Sequence, residues 1–228
     1  MFAKQVATID QVSHGRTVVG LGAGWFATEF EAHGIRFPPV GERLEALEET
    51  IEILRRMWTE PTVTFEGRHF RVQEVICEPK PVRRPPILVG GGGEKVLLRI
   101  AARAADIWNN LAVNQADLAR KIDVLHRHCD DVERDPAEIT ISQQCLVLIA
   151  ETDAAARAAL ERAAKIYGGH MGAGLEAHGI WGTPAQVIEK IERHAALGCR
   201  HLVMEFFGRD TREPARLFAE RVLPAFTS

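Results

Sequence analysis

The 228-residue sequence predicts an α/β fold with a parallel sheet, and three observations predict it. Short apolar runs alternate with stretches of helical periodicity along most of the chain, the order that strand–helix crossovers produce. The runs are apolar without polar alternation, as in Ile87-Leu88-Val89, which marks strands buried on both faces. Glycines stand at the ends of two of them: Gly20, Gly22 and Gly24, then Gly90, Gly91, Gly92 and Gly93. Five strand-then-helix units follow one leading helix, so the sheet is either doubly wound or a barrel.

The leading helix covers residues 2–12, with Phe2, Val6, Ile9 and Val12 at helical spacing and His14-Gly15 to end it. Thr17-Val18-Val19-Gly20-Leu21-Gly22 is the first strand and leads into Ala23-Gly24-Trp25. Residues 26–33 form a short helical turn closed by Gly34, and Pro38-Pro39 blocks its continuation. From Gly41 a long helix carries Leu44, Leu47, Ile51, Leu54 and Trp58 on one face. Residues 60–85 read as an insertion inside a single domain spanning residues 1–228. They hold a hairpin turning at Gly67 and a connector with Pro79, Pro81 and Pro85.

After Ile87-Leu88-Val89 and the four glycines a helix follows at once, through Val96, Leu97, Ile100, Ala101 and Ala104. Asp106-Ile107-Trp108-Asn109 is a short strand ending in polar residues. Asn114 caps a helix beginning at Gln115, where Leu118, Ile122 and Leu125 share a face. Residues 139–149 are a long strand, followed by an alanine-rich helix from Asp153. The glycine-rich residues 168–182 are expected to be a mobile loop. Thr183-Pro184-Ala185-Gln186 then supplies a capping residue, an N1 proline and an N3 glutamine, a helix start. Gly198 stops that helix, residues 201–207 are the last strand, and residues 214–226 the last helix. In the last strand Leu202, Met204 and Phe206 should face the helices, leaving His201, Val203, Glu205 and Phe207 opposite.

A net charge of −3 offers no electrostatic case for nucleic acid or an anionic membrane. No apolar run reaches the roughly 20 residues of a membrane-spanning helix. Cys77, Cys129, Cys145 and Cys199 form no Cys-x-x-Cys pair and read as reduced core thiols of a cytoplasmic protein. Cys145 has no adjacent histidine and is taken as a packing residue. No His-Glu-x-x-His pattern occurs, and His126 and His128, two apart on a helix, face different ways, so no metal is expected.

The chemistry concentrates in two glycine clusters. An apolar strand, four side-chain-free residues and a following helix together read as an anion site, most naturally for a phosphate, with a flexible strand-to-helix turn that binds no ligand as the alternative. It is neither a P-loop, since Lys95 lies between Glu94 and Val96, nor a dinucleotide fingerprint, since Lys95 stands where Gly or Ala is needed. The cluster Gly22-Ala23-Gly24-Trp25-Phe26-Ala27 matches Gly-x-Gly-x-x-Ala. The breaks at His33-Gly34 and Pro38-Pro39 come too early for a dinucleotide unit. Its glycines instead let a flat ligand ring approach the backbone.

Gly22-Ala23-Gly24-Trp25, Glu29, Gly41-Glu42-Arg43, Pro85-Pro86 before residues 87–93, and Ala105-Asp106-Ile107-Trp108-Asn109 occur in that order. So arranged, they resemble the luciferase-like monooxygenase superfamily, particularly its deazaflavin-dependent (coenzyme F420) oxidoreductases. The resemblance implies a (β/α)8 barrel with its cofactor at the C-terminal mouth. It implies a cofactor phosphate at Gly90, Gly91, Gly92 and Gly93, and a ring near Ala23, Gly24 and Asn109. The family has three strands before the leading helix. The chain is therefore expected to be a partial TIM barrel, truncated at its N-terminus, with an open edge that favours a homo-oligomer.

Glu205 is the candidate catalytic acid/base, with pairing to Arg209 as the structural alternative. Trp25 could stack on a ring or simply pack. The implied activity is hydride transfer between a reduced deazaflavin (F420) or flavin and a small organic substrate. The alternatives are an FMN-dependent monooxygenase using molecular oxygen, or a non-catalytic binding subunit that keeps only the phosphate loop.

Overall fold

The computed structural model describes residues 1–171, 174–208 and 210–227, with backbone alone at residues 114 and 168–171. In chain order the elements are α1 (Phe2–Val12), β1 (Val19–Leu21), α2 (Ala27–Ala32), α3 (Val40–Thr59), β2 (Val63–Glu66) and β3 (Arg71–Val75). They continue with β4 (Ile87–Gly90), α4 (Leu97–Ala104), β5 (Ile107–Asn110), α5 (Leu118–Asp131), β6 (Thr140–Ile149) and α6 (Asp153–Met171). The last are α7 (Leu175–His178), β7 (Ile180–Gly182), α8 (Pro184–Ala196), β8 (Cys199–Phe206) and α9 (Arg212–Arg221). The fold is α/β, as predicted, and the chain divides into two compact units. One holds residues 1–108 and 125–139, the other residues 109–124 and 140–228.

In the first unit β1 lies parallel to β4, with Val19 opposite Ile87 and Leu21 opposite Val89. Val19, Ile87 and Val89 are buried, as the unbroken apolar pattern requires. The stripe on α3 buries Leu47, Ile51, Leu54, Met57 and Trp58. Asp106 binds the starts of β4 and β5 together. Its carboxylate accepts the Ile87 N–H (2.8 Å) and both Arg84 guanidinium nitrogens (2.9 and 2.7 Å). The hairpin β2–β3 is antiparallel, and α3 reaches it through Glu49. That carboxylate accepts the N–H groups of Arg68 (2.7 Å), His69 (3.0 Å) and Phe70 (2.9 Å). A Cβ on Gly67 would sit 2.4 Å from the Glu49 carboxylate, so the turn needs glycine for close approach.

In the second unit β6 carries two parallel partners, β7 along Val147–Ile149 and β8 along Ile141–Val147. Leu202, Met204 and Phe206 pack toward Val187, Ile191 and Phe218 of α8 and α9, on the expected side. His201, Val203 and Glu205 are exposed on the opposite face. The start of α8 is also as read, with the Thr183 N–H donating to Gln186 Oε1 at 2.8 Å.

Five expectations are corrected. The face of α1 turned inward is Ala3, Val6, Ala7 and Asp10, whereas Phe2, Ile9 and Val12 are exposed. The reason is Asp10, fully buried, whose carboxylate accepts the N–H groups of Thr17 (3.3 Å) and Val82 (2.9 Å). The helix after the glycines does not start at once. The Leu98 N–H bonds to Gly93 O (3.0 Å), and residues 94–96 are a turn before α4. No α-helix begins at Gln115: a 3₁₀ segment runs from Ala112 to Asp117 and α5 begins at Leu118. There Gln115 is buried, and its side-chain amide lies 2.9 Å from His194 Nε2, a tertiary contact with no local signature.

Residues 168–182 are not one loop. α6 runs to Met171, α7 follows, and β7 brings Ile180 and Trp181 into the core beside β6; Gly172 and Ala173 lie outside the described residues. The last helix also ends early, at Arg221, with a 3₁₀ turn over Leu223–Ala225 where Pro224 lacks an N–H. Among the described residues no helix is long and apolar enough to cross a membrane.

Candidate active site

The register of β1 against β4 puts Gly22 and Gly90 side by side, just past Leu21 and Val89, at the C-terminal ends of both strands. The two glycine clusters picked out in the sequence therefore converge within the first unit. Not all of these glycines serve the chain itself. Gly24 has φ 75°, and a Cβ there would meet the Phe30 ring at 3.0 Å. Gly91 has φ 139°, and its Cβ would meet Leu97 Cδ1 at 2.8 Å. Both are held by backbone and packing. Gly22, Gly90 and Gly93 are different. Their φ angles are not left-handed, and a Cβ would find its nearest neighbours at 3.5, 3.8 and 3.6 Å, ordinary contact distances. Folding leaves room for a side chain at these three positions. A bare backbone there suits a ligand that must approach the peptide groups, and a phosphate fits this cradle.

Ala23 is fixed from α3, since Arg43 Nε donates to its carbonyl at 3.1 Å. The same guanidinium donates to Pro38 O and lies 4.0 Å over the Phe37 ring. Arg43 thus shapes the loop after β1, and beside it lies a cavity of about 400 Å³ lined by Gly22, Ala23, Phe30, Arg43 and Phe70. The backbone of the Gly90 to Gly93 run is held by Trp108, whose Nε1–H donates to Gly91 O at 2.9 Å. His128 Nε2 lies 2.8 Å from Glu94 O.

In the second unit Asn109 is buried and accepts the Ser142 hydroxyl at Oδ1 (2.8 Å). With its proton so used, Ser142 Oγ accepts from His201 Nδ1 at 3.1 Å. Asn109 is therefore an oriented polar group, not a surface amide. Glu205 is exposed, and Tyr167 donates to its Oε1 at 2.8 Å. Burial pushes the Tyr167 hydroxyl pKa up, and donation to Glu205 adds to the rise. The alternative partner Arg209 lies outside the described residues. Cys145 is fully buried, and burial pushes its thiol far above the ordinary range, leaving no thiolate to act as a nucleophile. Trp25 lies at the tip of the β1 loop with its ring 5.2 Å from Phe26. No cluster of three metal-ligating side chains occurs among the described residues.

Residues 1–178 match the family model of the luciferase-like monooxygenases. The chain belongs to that family. Among its family relatives is the FMNH(2)-dependent dimethylsulfone monooxygenase of Pseudomonas fluorescens (strain Pf0-1). The two are 29% identical over 97% of this chain and 68% of the relative. The F420-dependent glucose-6-phosphate dehydrogenase of Microbacterium testaceum (strain StLB037) is 26% identical over 98% of the chain and 73% of the relative. In structure, the chain resembles an F420-dependent secondary alcohol dehydrogenase in complex with an F420-acetone adduct. The TM-score is 0.82 at 21% identity, covering 100% of this chain and 74% of that one. That likeness carries the fold, of the TIM-barrel type of luciferase-like enzymes.

Sequence reasoning placed the glycines but missed their supports. Arg43 and Trp108 lie within the family motifs but have no role that spacing shows, and the spacing of His126 and His128 bears only on metal binding. A buried tryptophan at a strand end carries a donor that must find an acceptor, and that is the signal by which Trp108 was findable.

Proposed function

We propose that the chain is an oxidoreductase that transfers hydride between a reduced deazaflavin (F420) or flavin and a small organic substrate. The observation that carries this reading is the glycine cradle at the ends of β1 and β4, where Gly22, Gly90 and Gly93 have room for side chains that are absent. In this reading Gly90, Gly91, Gly92 and Gly93 hold the cofactor phosphate, while Ala23, Gly24 and Asn109 serve the ring. The bound ring supplies the hydride chemistry. Arg43 keeps the Ala23 peptide in place, and the hydrogen bond from Ser142 keeps the Asn109 amide in one orientation. Glu205 is the catalytic acid/base, its carboxylate positioned by the Tyr167 hydroxyl.

A second reading, an FMN-dependent monooxygenase acting with molecular oxygen, is favoured by the alignment of 97% of the chain with an FMNH(2)-dependent relative. Both readings take the chain as one luciferase-like domain with residues 60–85 as an insertion, acting on a small molecule as a homo-oligomer. Exposed Ile9, Val12 and Val18 support self-association, and four buried free thiols support a reducing cytoplasm.

The test is titration with FMN and with F420, followed by stopped-flow oxidation of the reduced cofactor with and without oxygen. Oxidation by an organic acceptor without oxygen supports hydride transfer, and oxidation only with oxygen supports the monooxygenase. Binding of neither cofactor refutes both.

A further inference from the structure

We propose that Trp108 and His128 are the positioning residues of the phosphate loop, an inference that rests on the cofactor reading above. A run of four glycines is the least self-determined backbone in a chain, because glycine adopts left- and right-handed conformations alike. Its shape must be imposed from outside. Two side-chain donors do this here, one on each side of Gly92 and Gly93. Trp108, fully buried, donates Nε1–H to Gly91 O at 2.9 Å. His128, with a side chain 18% exposed, donates Nε2–H to Glu94 O at 2.8 Å. A carbonyl accepts only, so the His128 proton is on Nε2.

In a trans peptide the C=O of one residue and the N–H of the next point in opposite directions. Fixing the Gly91 carbonyl on Trp108 therefore turns the Gly92 N–H away from that indole. Fixing the Glu94 carbonyl on His128 turns the Lys95 N–H away from the imidazole. Two acceptors of the loop, Gly91 O and Glu94 O, are thus held by protein donors, and the peptide N–H that follows each points away from its clamp, a polarity that suits an anion. The same capture reroutes the helix start. The Leu98 N–H bonds Gly93 O (3.0 Å) while Glu94 O goes to His128, which places the α4 start at Leu97. Neither donor is adjacent in sequence to its acceptor, so the clamp is a product of the fold.

The experiment compares phosphorylated with dephosphorylated ligands: FMN with riboflavin, and F420 with its dephosphorylated deazaflavin. Dissociation constants are measured by fluorescence on the full chain for wild type, Trp108→Phe, His128→Leu and His128→Gln. Loss of either donor should shrink the preference for the phosphorylated ligand about tenfold, equivalent to about 1.4 kcal/mol. Affinity for the dephosphorylated ligand should stay within about twofold, and His128→Gln, which keeps an N–H donor, should restore the preference. Unchanged preference in His128→Leu, or equal loss of both affinities, overturns the clamp. Should Trp108→Phe fail to fold, the two His128 variants decide the matter. A wild type that binds neither pair, or binds both members equally, refutes the underlying phosphate reading instead.

Discussion

Adding one methyl group at Gly91 and at Gly93 should separate what the loop does for folding from what it does for a ligand. At Gly91 the backbone has φ 139° and the new Cβ would lie 2.8 Å from Leu97 Cδ1. A side chain in that conformation costs about 1–3 kcal/mol. For a chain of this length each kcal/mol lowers Tm by about 2–4 °C, so Gly91→Ala should melt roughly 2–12 °C earlier. At Gly93 the new Cβ meets Leu97 Cβ at 3.6 Å, and φ is not left-handed. Stability should stay within about 0.5 kcal/mol of wild type, or rise slightly as the unfolded chain loses freedom. The Gly93 methyl does, however, occupy the approach to the loop's peptide groups. FMN or F420 affinity should fall about tenfold or more in Gly93→Ala at unchanged Tm. The assays are thermal melts by circular dichroism and cofactor titration by fluorescence on both variants. Wild-type cofactor affinity in Gly93→Ala would refute the cradle, and a wild-type Tm in Gly91→Ala would refute the division of roles.

Glu205→Gln should cut turnover by about 100-fold or more while leaving cofactor affinity unchanged, and Tyr167→Phe should cut it less; steady-state kinetics on both variants checks this. Burial works against the Asp106 charge, but the Arg84 hydrogen bonds and the Ile87 N–H prevail and hold its pKa below the ordinary 3.8. Its contribution is therefore complete above the ordinary value and lost as pH falls from there through the lower folded-state value. Asp106→Asn should cost about 2 kcal/mol at pH 7 and flatten the acid limb of a denaturant-monitored stability profile. Burial lowers the His194 pKa from 6.5, opposed by the hydrogen bond from its ring to the Lys190 carbonyl. The folded state thus resists protonation, and stability should fall as pH drops below about 6.5, a slope that His194→Gln removes.

Elements whose causes are local are legible in the residues alone. The apolar run into Gly90, the stripe on α3, the alternation along β8 and the Thr183–Gln186 helix start each lie within a few consecutive residues, and each is where the pattern put it. So are the two glycine clusters, because a missing side chain is visible in any alphabet. Which glycines answer to the fold and which leave space is set by packing and backbone conformation. That depends on neighbours such as Leu97 and Phe30 and on φ angles that no spacing encodes. Tertiary structure also sets the inward face of α1, where Asp10 binds Val82, 72 residues away. Local glycine count argued against β7, yet the β6 edge at Val147–Ile149 recruits Ile180 and Trp181 as a strand. The clamp on the glycine loop spans 17 residues to Trp108 and 34 to His128. A hydrogen bond over that distance leaves no periodic trace, because its geometry exists only after the strands and helices between have folded.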